Sequence, residues 1–450
     1  MHRRALVTLA LLLPACADPA NDTTDSADTA DTADTAATGT SQGTEDPTEG
    51  AAVTYHRDIK PILERSCTGC HSPGNIAPFS LQTYADAQTF APALAASVMS
   101  GAMPPWPPDN SCNTYKHDRS LPEDQKLQIA EWAELGAPEG DPADAPDSAP
   151  MPADEVVYDV ELPLPQAYSP TIAPDEYRCF MMDWPKDTVK YITGFRATPG
   201  ETSIVHHAIA YNVPPEQVAE YEALDTADPD PGYLCYGGPG GKRPQWIGAW
   251  VPGSNNGAMP PGTGLRIEPG SKIVVQMHYH TLPGADPDRT ILQMRTADSV
   301  ERTAYVIPFA NPGWPTNQTP MEIPAGDADV VHSFDVDLSK ALPLLVPGGE
   351  LAAGDPLVMH AATLHMHTLG VSGSITVERA AGGSDCALEI PRWDFDWQGQ
   401  YQLITPMTIQ PGDKLKLECN WNNAAGKTPV YWGEGTGDEM CLGVIYITGA

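Results

Sequence analysis

The residues best suited to chemistry lie late in the chain, in Thr363-Leu364-His365-Met366-His367-Thr368-Leu369-Gly370 and in Asp438-Glu439-Met440-Cys441. Alternate side chains of a β-strand share a face, so His365 and His367 point the same way, about 6.6 Å apart, and can grip one metal ion. Imidazole serves zinc, copper, iron or nickel. Adding the thioether of Met440 as a third ligand turns the choice toward copper, Cu(I) in particular. A second chemistry stands near the other end, in Cys67-Thr68-Gly69-Cys70-His71. A Cys-x-x-Cys-His run attaches haem through two thioethers and offers its histidine as axial ligand.

Two kinds of element must position these groups. From 53 to about 142 the pattern is helical. Tyr55, Ile59, Ile62 and Leu63 fall at helical spacing just before Cys67, Tyr84 to Met99 reads as a second helix, and a third opens at Ser120. There Glu123 completes a capping box, Leu127, Ala130 and Leu135 mark the apolar positions, and Gly136 ends the run. Three helices around Cys67, Cys70 and His71 resemble a small c-type cytochrome. Met103, in the Pro-stiffened Met103-Pro104-Pro105-Trp106, is the expected second axial ligand of the iron, with Met99 as the alternative. With both axial positions filled, such a haem would carry electrons and leave no place for oxygen.

From Asp154 onward short β-rich runs alternate with Pro/Gly turns, among them Glu176 to Met182, Lys190 to Ala197 and Ile204 to Asn212. That grammar predicts β-sandwiches. The runs Ile267 to Gln276 and Ile409 to Glu418 echo each other as strand, Pro-Gly turn, strand, and suggest two related units.

The second half resembles the copper type II monooxygenases, the family of dopamine β-monooxygenase and peptidylglycine α-hydroxylating monooxygenase. In that family a His-x-His pair and a Met preceding a disulfide cysteine hold the catalytic copper, which His365, His367 and Met440-Cys441 match. The resemblance covers roughly residues 155 to 450 and extends to a second copper. Ser203-Ile204-Val205-His206-His207-Ala208 and Val275-Gln276-Met277-His278-Tyr279-His280 carry over His206, His207 and His278 as its ligands. Adjacent strand residues face opposite ways, so His206 and His207 need a bulge or a strand end. His280 shares the face of His278 and is read as supporting a ligand, with ligation or a surface role left open. His56, His117, His332 and His360 belong to no such pattern and read as core or surface. The family's architecture implies two tandem antiparallel eight-stranded jelly-roll sandwiches with a boundary near Val300.

Nine cysteines divide usefully. With Cys16, Cys67 and Cys70 assigned elsewhere, six remain, and six permit 15 pairings. The resemblance implies Cys179 with Cys235 and Cys419 with Cys441. Elimination leaves Cys112 with Cys386.

The whole chain is then expected to be multidomain: a signal peptide at 1–16, an acidic tether at 17–50, an all-α cytochrome c domain at 51–142, a Pro/Ala/Asp linker at 143–154, and copper sandwiches at 155–300 and 301–450. Arg3-Arg4, the apolar run Ala5 to Leu13 and Leu13-Pro14-Ala15-Cys16 resemble a bacterial lipobox, which predicts export and a lipid anchor on Cys16, with outer-membrane sorting. The tether, Asp/Thr/Ala-rich and unable to bury a core, has a reach of roughly 30 Å. A net charge of −34 and a pI near 4.4 argue against nucleic acid or an anionic membrane held through a basic patch.

The expected activity is hydroxylation of a C–H bond with O₂, using two coppers, with the His365/His367/Met440 site binding oxygen and the other storing an electron. The reductant would be ascorbate, as in animal members, or a protein donor acting through the haem. The rival expectation is a haem/copper redox or copper-handling protein without oxygenase activity. Peptide-amidating members carry an Arg two residues before the His-x-His and a Tyr four after the Met; Thr363 and Val444 stand there, so C-terminal glycine peptides fit poorly and the substrate stays open.

Overall fold

The computed structural model describes residues 52–73, 77–146, 156–242, 244–251, 257–346 and 349–450. The expected signal peptide, Cys16, the whole of the tether and most of the linker lie outside the described residues. Val53–Ala450 form one compact unit, and no described helix is long and apolar enough to cross a membrane.

Its first part is a three-helix unit: α1 (Lys60–Ser66), preceded by a π-turn at Tyr55–Ile59, α2 (Tyr84–Met99) and α3 (Glu123–Glu134). Tyr55, Ile59, Leu63, Leu81, Ala87, Val98, Ile129 and Trp132 pack into a core of their own. Burial of a large apolar side chain contributes about 1.5–3 kcal/mol, so this core stabilises the unit without help from the sheets. Two details depart from the sequence reading. The capping box forms on α2, where the Thr83 hydroxyl accepts from Asp86 N and the Asp86 carboxylate accepts from Thr83 N. Helix α3 instead starts behind Pro122 with no side-chain cap, because the Ser120 hydroxyl is taken by the Asn110 amide. The buried stripe of α3 is also displaced. Leu127 and Leu135 are 53% and 51% exposed, while Ile129 and Trp132 are fully buried; the Trp132 indole donates to Pro138 O and packs on Tyr55, which orients the helix by its largest side chain.

The remaining chain is β-rich. Its first half contains β1 (Val160–Pro163), β2 (Asp175–Asp183), β3 (Lys190–Thr198), β4 (Val205–Val213), α4 (Val218–Ala227), β5 (Tyr233–Leu234), β6 (Gln245–Trp250), β7 (Thr263–Ile267), β8 (Lys272–His280) and β9 (Ile291–Ala297). The second contains β10 (Arg302–Phe309), β11 (Val330–Val336), α5 (Leu338–Leu345), β12 (Leu357–His365), β13 (Gly370–Glu378), β14 (Ser384–Ile390), β15 (Tyr401–Ile409), β16 (Lys414–Trp421) and β17 (Leu442–Gly449).

These strands form a five-stranded sheet, β5-β2-β8-β4-β6, a four-stranded sheet, β11-β16-β13-β14, and an eight-stranded sheet, β1-β9-β3-β7-β10-β17-β12-β15. The last corrects the expectation of two separate, wholly antiparallel sandwiches. Strand β10 pairs with β7 in parallel, from Arg302↔Thr263 to Ala304↔Leu265, and antiparallel with β17. Strand β10 runs in the same direction as β7 and beside it, so the sheet of the first half continues into the second without an open edge. The buried Thr263 hydroxyl and Tyr446 hydroxyl, 2.8 Å apart, reinforce the seam.

The repeated Pro-Gly turns have one structural role. Gly270 (φ +81°) and Gly412 (φ +92°) lie between β7 and β8 and between β15 and β16. Each turn takes the chain out of the shared sheet into the facing one. The positive φ explains the glycine, since an L side chain there is strained.

The helical unit is stapled to the second half. Cys112 is bonded to Cys386 on β14 across a sequence separation of 274. Beside it Asp109 N donates to Glu389 O, Lys116 N to Gln402 O and Ile404 N to Thr114 O. Tyr115 is buried in the core of the second half, with its hydroxyl donating to Ala387 O.

Candidate metal centre

His206 and His207 open β4, and His278 lies near the end of the adjacent β8. The β4–β8 register shifts between Val205 and His207. That irregularity lets two consecutive rings turn to one side, which a regular strand forbids. His206 Nδ1 lies 3.3 Å from His207 Nδ1, and His278 Nδ1 lies 3.4 Å from His207 Nδ1. Three imidazole nitrogens converging so closely make a metal-ligand set. The outer nitrogen of His278 is committed: Nε2 donates to Asp175 Oδ1 at 3.1 Å, leaving the Nδ1 lone pair for a metal. Asp175 also meets the exposed His280 at 3.3 Å and accepts from the Thr436 hydroxyl at 3.0 Å. His280 thus braces the carboxylate that orients a ligand.

His365 ends β12 and His367 follows it, ring centroids 5.1 Å apart. Their tautomers are set the other way round. His365 Nδ1 donates to Gln398 Oε1 at 2.6 Å and His367 Nδ1 to Asp438 O at 3.0 Å, so both present Nε2. Met440 is buried and precedes Cys441, which is bonded to Cys419. The antiparallel register ends with His365 opposite Leu442, and Met440 is not among the residues that line the histidine cleft. The Glu439 carboxylate accepts from His367 N at 2.9 Å, Leu369 N at 2.6 Å and the Trp421 indole at 2.8 Å, fixing this corner. Cys179 and Cys235 are bonded in the first half, tying β2 to β5.

The two histidine groups face one another. His206, His207, His278, His365 and His367 line one cavity of about 10 Å³, together with Tyr177, Phe395, Glu434 and Thr436. That is room for one water-sized group. Phe395 stacks on His206 at 4.8 Å and stands edge-on to His367 at 6.0 Å, so its ring separates the groups. Tyr177 stacks on His278 at 4.1 Å, and its hydroxyl donates across the cleft to Glu434 O at 2.7 Å. A larger hollow of about 480 Å³, around Thr193, Met259, Arg295 and Glu301, contains none of these histidines.

Burial is the largest cause that holds all five histidines neutral; neighbouring imidazoles add to it at His207, His278 and His365 and less at His206, while at His367 burial alone lowers the value. His278 and His365 are each lowered to about 3, His207 lies well below the usual value, and His206 and His367 are lowered as well. Neutral imidazole is the ligating form, so protons do not compete with a metal here at neutral pH. Five neutral imidazoles suit the metals that imidazole binds, copper among them. Burial, and after it the charge of the nearby Asp438, pushes the Glu434 carboxyl in the same cleft up to about 7.

In the helical unit, Cys67 and Cys70 carry free thiols in the turn after α1, where Cys70 N and His71 N both donate to Cys67 O. Burial, and after it the neighbouring Cys70, pushes the Cys67 thiol up to about 12, so in this environment it is a poor nucleophile. His71 Nδ1 lies 3.2 Å from Phe79 O, an arrangement that leaves Nε2 for an axial bond. Met103 is half-buried and Met99 is 46% exposed. Cys67, Cys70 and His71 lie together in one turn, as attachment of a covalent haem would need.

Comparison with known proteins bears on the second half. Residues 354–448 match the C-terminal domain of the copper type II ascorbate-dependent monooxygenases. The matched stretch holds His365, His367, Met440 and the Cys419–Cys441 bond. The chain is also 21% identical over 203 residues to MOXD1 homolog 1 of Drosophila melanogaster, covering 44% of this chain and 27% of that one. Both findings support a relation to the copper type II monooxygenases. The chain spans about a quarter of the length of that relative. Solved structures give no usable guide: PNGF-II aligns at TM-score 0.26 and 10% identity over 64% of this chain and 65% of its own, and the infectious bursal disease virus VP2 particle at 0.16 and 11% over 66% and 73%.

Of the other isolated histidines, His360 is buried against the Thr448 hydroxyl at 3.0 Å, His332 meets Glu322 O at 2.8 Å, and His56 faces Glu139 at 3.5 Å. None of them lines the cleft. Sequence reasoning missed Asp175, Tyr177, Phe395, Gln398, Glu434 and Glu439. Asp175 and Tyr177 had a signal, since β2 pairs with β8 and sets them opposite His280 and His278. Phe395 and Gln398 had none, because the β14–β15 connection reaches the cleft only through the fold.

Proposed function

We propose that this chain is an exported copper monooxygenase that hydroxylates a C–H bond of an organic substrate with O₂, supplied with electrons through a covalent c-type haem on the helical unit. The observation that carries the reading is the convergence of His206, His207 and His278 with His365 and His367 on one cleft. When bound, copper supplies the one-electron steps and the activation of oxygen that the side chains cannot perform. The chain's own part is to hold the imidazoles neutral and aimed, through Asp175, Gln398 and the Asp438 carbonyl. Glu434 offers a carboxyl that exchanges a proton near neutral pH within the same cleft. On this reading Cys67 and Cys70 hold the haem and His71 and Met103 ligate its iron, while a lipid on Cys16 anchors the exported protein.

A second reading, a haem/copper redox or copper-handling protein, is favoured by one observation: the cleft has room for a water-sized group and not for an organic substrate. Metal and haem analysis of the exported protein, followed by O₂ uptake across a substrate panel, separates the two. Two coppers, one haem and substrate-coupled uptake support oxygenation. The same complement with uptake independent of every substrate supports the second reading.

A further inference from the structure

We propose that electrons leave the helical unit through Trp106, Tyr401 and Gln398 and arrive first at the copper of His365 and His367. The inference rests on the haem and copper reading above and adds a route and an order to it. Residues 100–116 run from the foot of α2, past Met103, to the β14–β15 end of the second half. There the Arg392 guanidinium donates to Ser100 O, at 2.9 Å, and to Gly101 O, just ahead of Met103. Three residues after Met103, Trp106 packs on the core of the second half, its ring 5.6 Å from Tyr401 and 6.3 Å from Tyr115. Tyr401 and Tyr115 are themselves 5.9 Å apart, so three aromatic rings are in mutual contact at the junction.

The same connection then enters the metal cleft. Three residues before Tyr401, Gln398 accepts the short hydrogen bond from His365 Nδ1, 2.6 Å long. Gln398 also donates to Phe395 O at 2.9 Å, and Phe395 lies on His206. The Trp393 indole donates to His367 O at 2.9 Å. The single connection between β14 and β15 therefore touches residues 100–116 at both flanks, through Arg392 and Tyr401, and both histidine groups between them. The path to His365 ends in a hydrogen bond to a ligand, whereas the path to His206 ends in a stacked ring without one. The first is the stronger coupling, which sets the order. Each transfer converts Fe(II) haem to Fe(III) and Cu(II) to Cu(I), with no bond made or broken and no proton moved.

The test uses the full chain, with haem and copper quantified first. Haem is reduced anaerobically with copper left as Cu(II), and haem oxidation is followed optically while freeze-quenched samples report the two Cu(II) signals. The His365→Ala/His367→Ala variant identifies which signal belongs to which site. Expected is early loss of the His365/His367 signal. Trp106→Leu slows haem oxidation several-fold with haem spectrum and copper content unchanged, and Trp106→Phe recovers most of the rate. Unchanged kinetics in a fully loaded Trp106→Leu, or reduction of the three-histidine copper first, overturns the route. Wild-type protein lacking haem or copper overturns the reading beneath it, and that is seen in the loading analysis before any kinetics.

Discussion

Replacing Glu439 tests whether the second histidine group is held as described. Its carboxylate is fully buried and takes two backbone N–H groups, His367 and Leu369, and the Trp421 indole. In Glu439→Ala all three donors stay buried without an acceptor, at about 1–3 kcal/mol each. The loss of stability should then be on the order of 3–9 kcal/mol, at the low end if water enters the space left behind. Glu439→Gln keeps the volume and one acceptor oxygen but turns an NH₂ toward N–H donors, so it should fall between wild type and Ala. His367 and Met440 both flank this carboxylate, and the copper of their site should therefore be lost first, with the His206/His207/His278 copper retained. Urea unfolding with copper analysis of each variant is the assay. A Glu439→Ala protein within about 1 kcal/mol of wild type and carrying both coppers refutes the reasoning.

Four further outcomes are expected. His365→Ala/His367→Ala should lose one copper and keep the other and the haem; elemental analysis showing loss of both, or of neither, means that the sites are wrongly drawn. Met440→Ala should abolish substrate hydroxylation while the three-histidine copper stays, because only one site loses its soft ligand; wild-type product formation would make Met440 a packing residue. The metal-free protein should lose stability as pH falls. His278 and His365 titrate at about 3 when folded and near 6.5 when unfolded, so between those values only the unfolded chain binds these protons, each group weighing about 1.4 kcal/mol per pH unit. Urea midpoints for wild type and His365→Gln that run parallel between pH 7 and pH 4 would contradict this. Cys112→Ser/Cys386→Ser should keep both copper sites but loosen the helical unit, seen as faster amide exchange in residues 109–116; unchanged exchange would mean that the backbone bonds alone hold it.

What the sequence made legible was local. The helix at Tyr84–Met99 and the strand runs near Glu176, Lys190 and Ile204 follow from period and punctuation, and each is observed within a residue or two. Adjacency at His206-His207 required a bulge, and the β4–β8 register has one. What stayed hidden depends on packing. The buried face of α3 is chosen by Trp132, which no helical stripe through Leu127 and Leu135 anticipates. The parallel β7–β10 ladder joins residues about forty apart and leaves no mark on either strand. Gln398 and Phe395 lie in a connection with no periodicity, and their roles exist only once β14 and β15 aim it at the cleft.

The continuous sheet bears on how anything larger than water could reach the metals. The halves are joined by the β7–β10 backbone ladder and by the buried Thr263–Tyr446 bond. Separating the halves as rigid bodies would strand those backbone groups, each comparable in cost to a lost hydrogen bond. Across the cleft itself the joins are side chains on connections: Tyr177 to Glu434 O, Thr436 to Asp175, and Phe395 on His206. Two hydrogen bonds and one stacked pair amount to a few kcal/mol at about 1 kcal/mol each. Room for a substrate is therefore made most cheaply by moving the 391–400 and 431–439 segments while the sheets stay fixed. Those two segments also carry Gln398, Asp438 and Glu439, which aim His365 and His367. Opening the cleft and reorienting His365 and His367 would thus be one motion, and it would also take Thr436 from Asp175 and Phe395 from His206, leaving the Asp175–His278 bond to hold the three-histidine group.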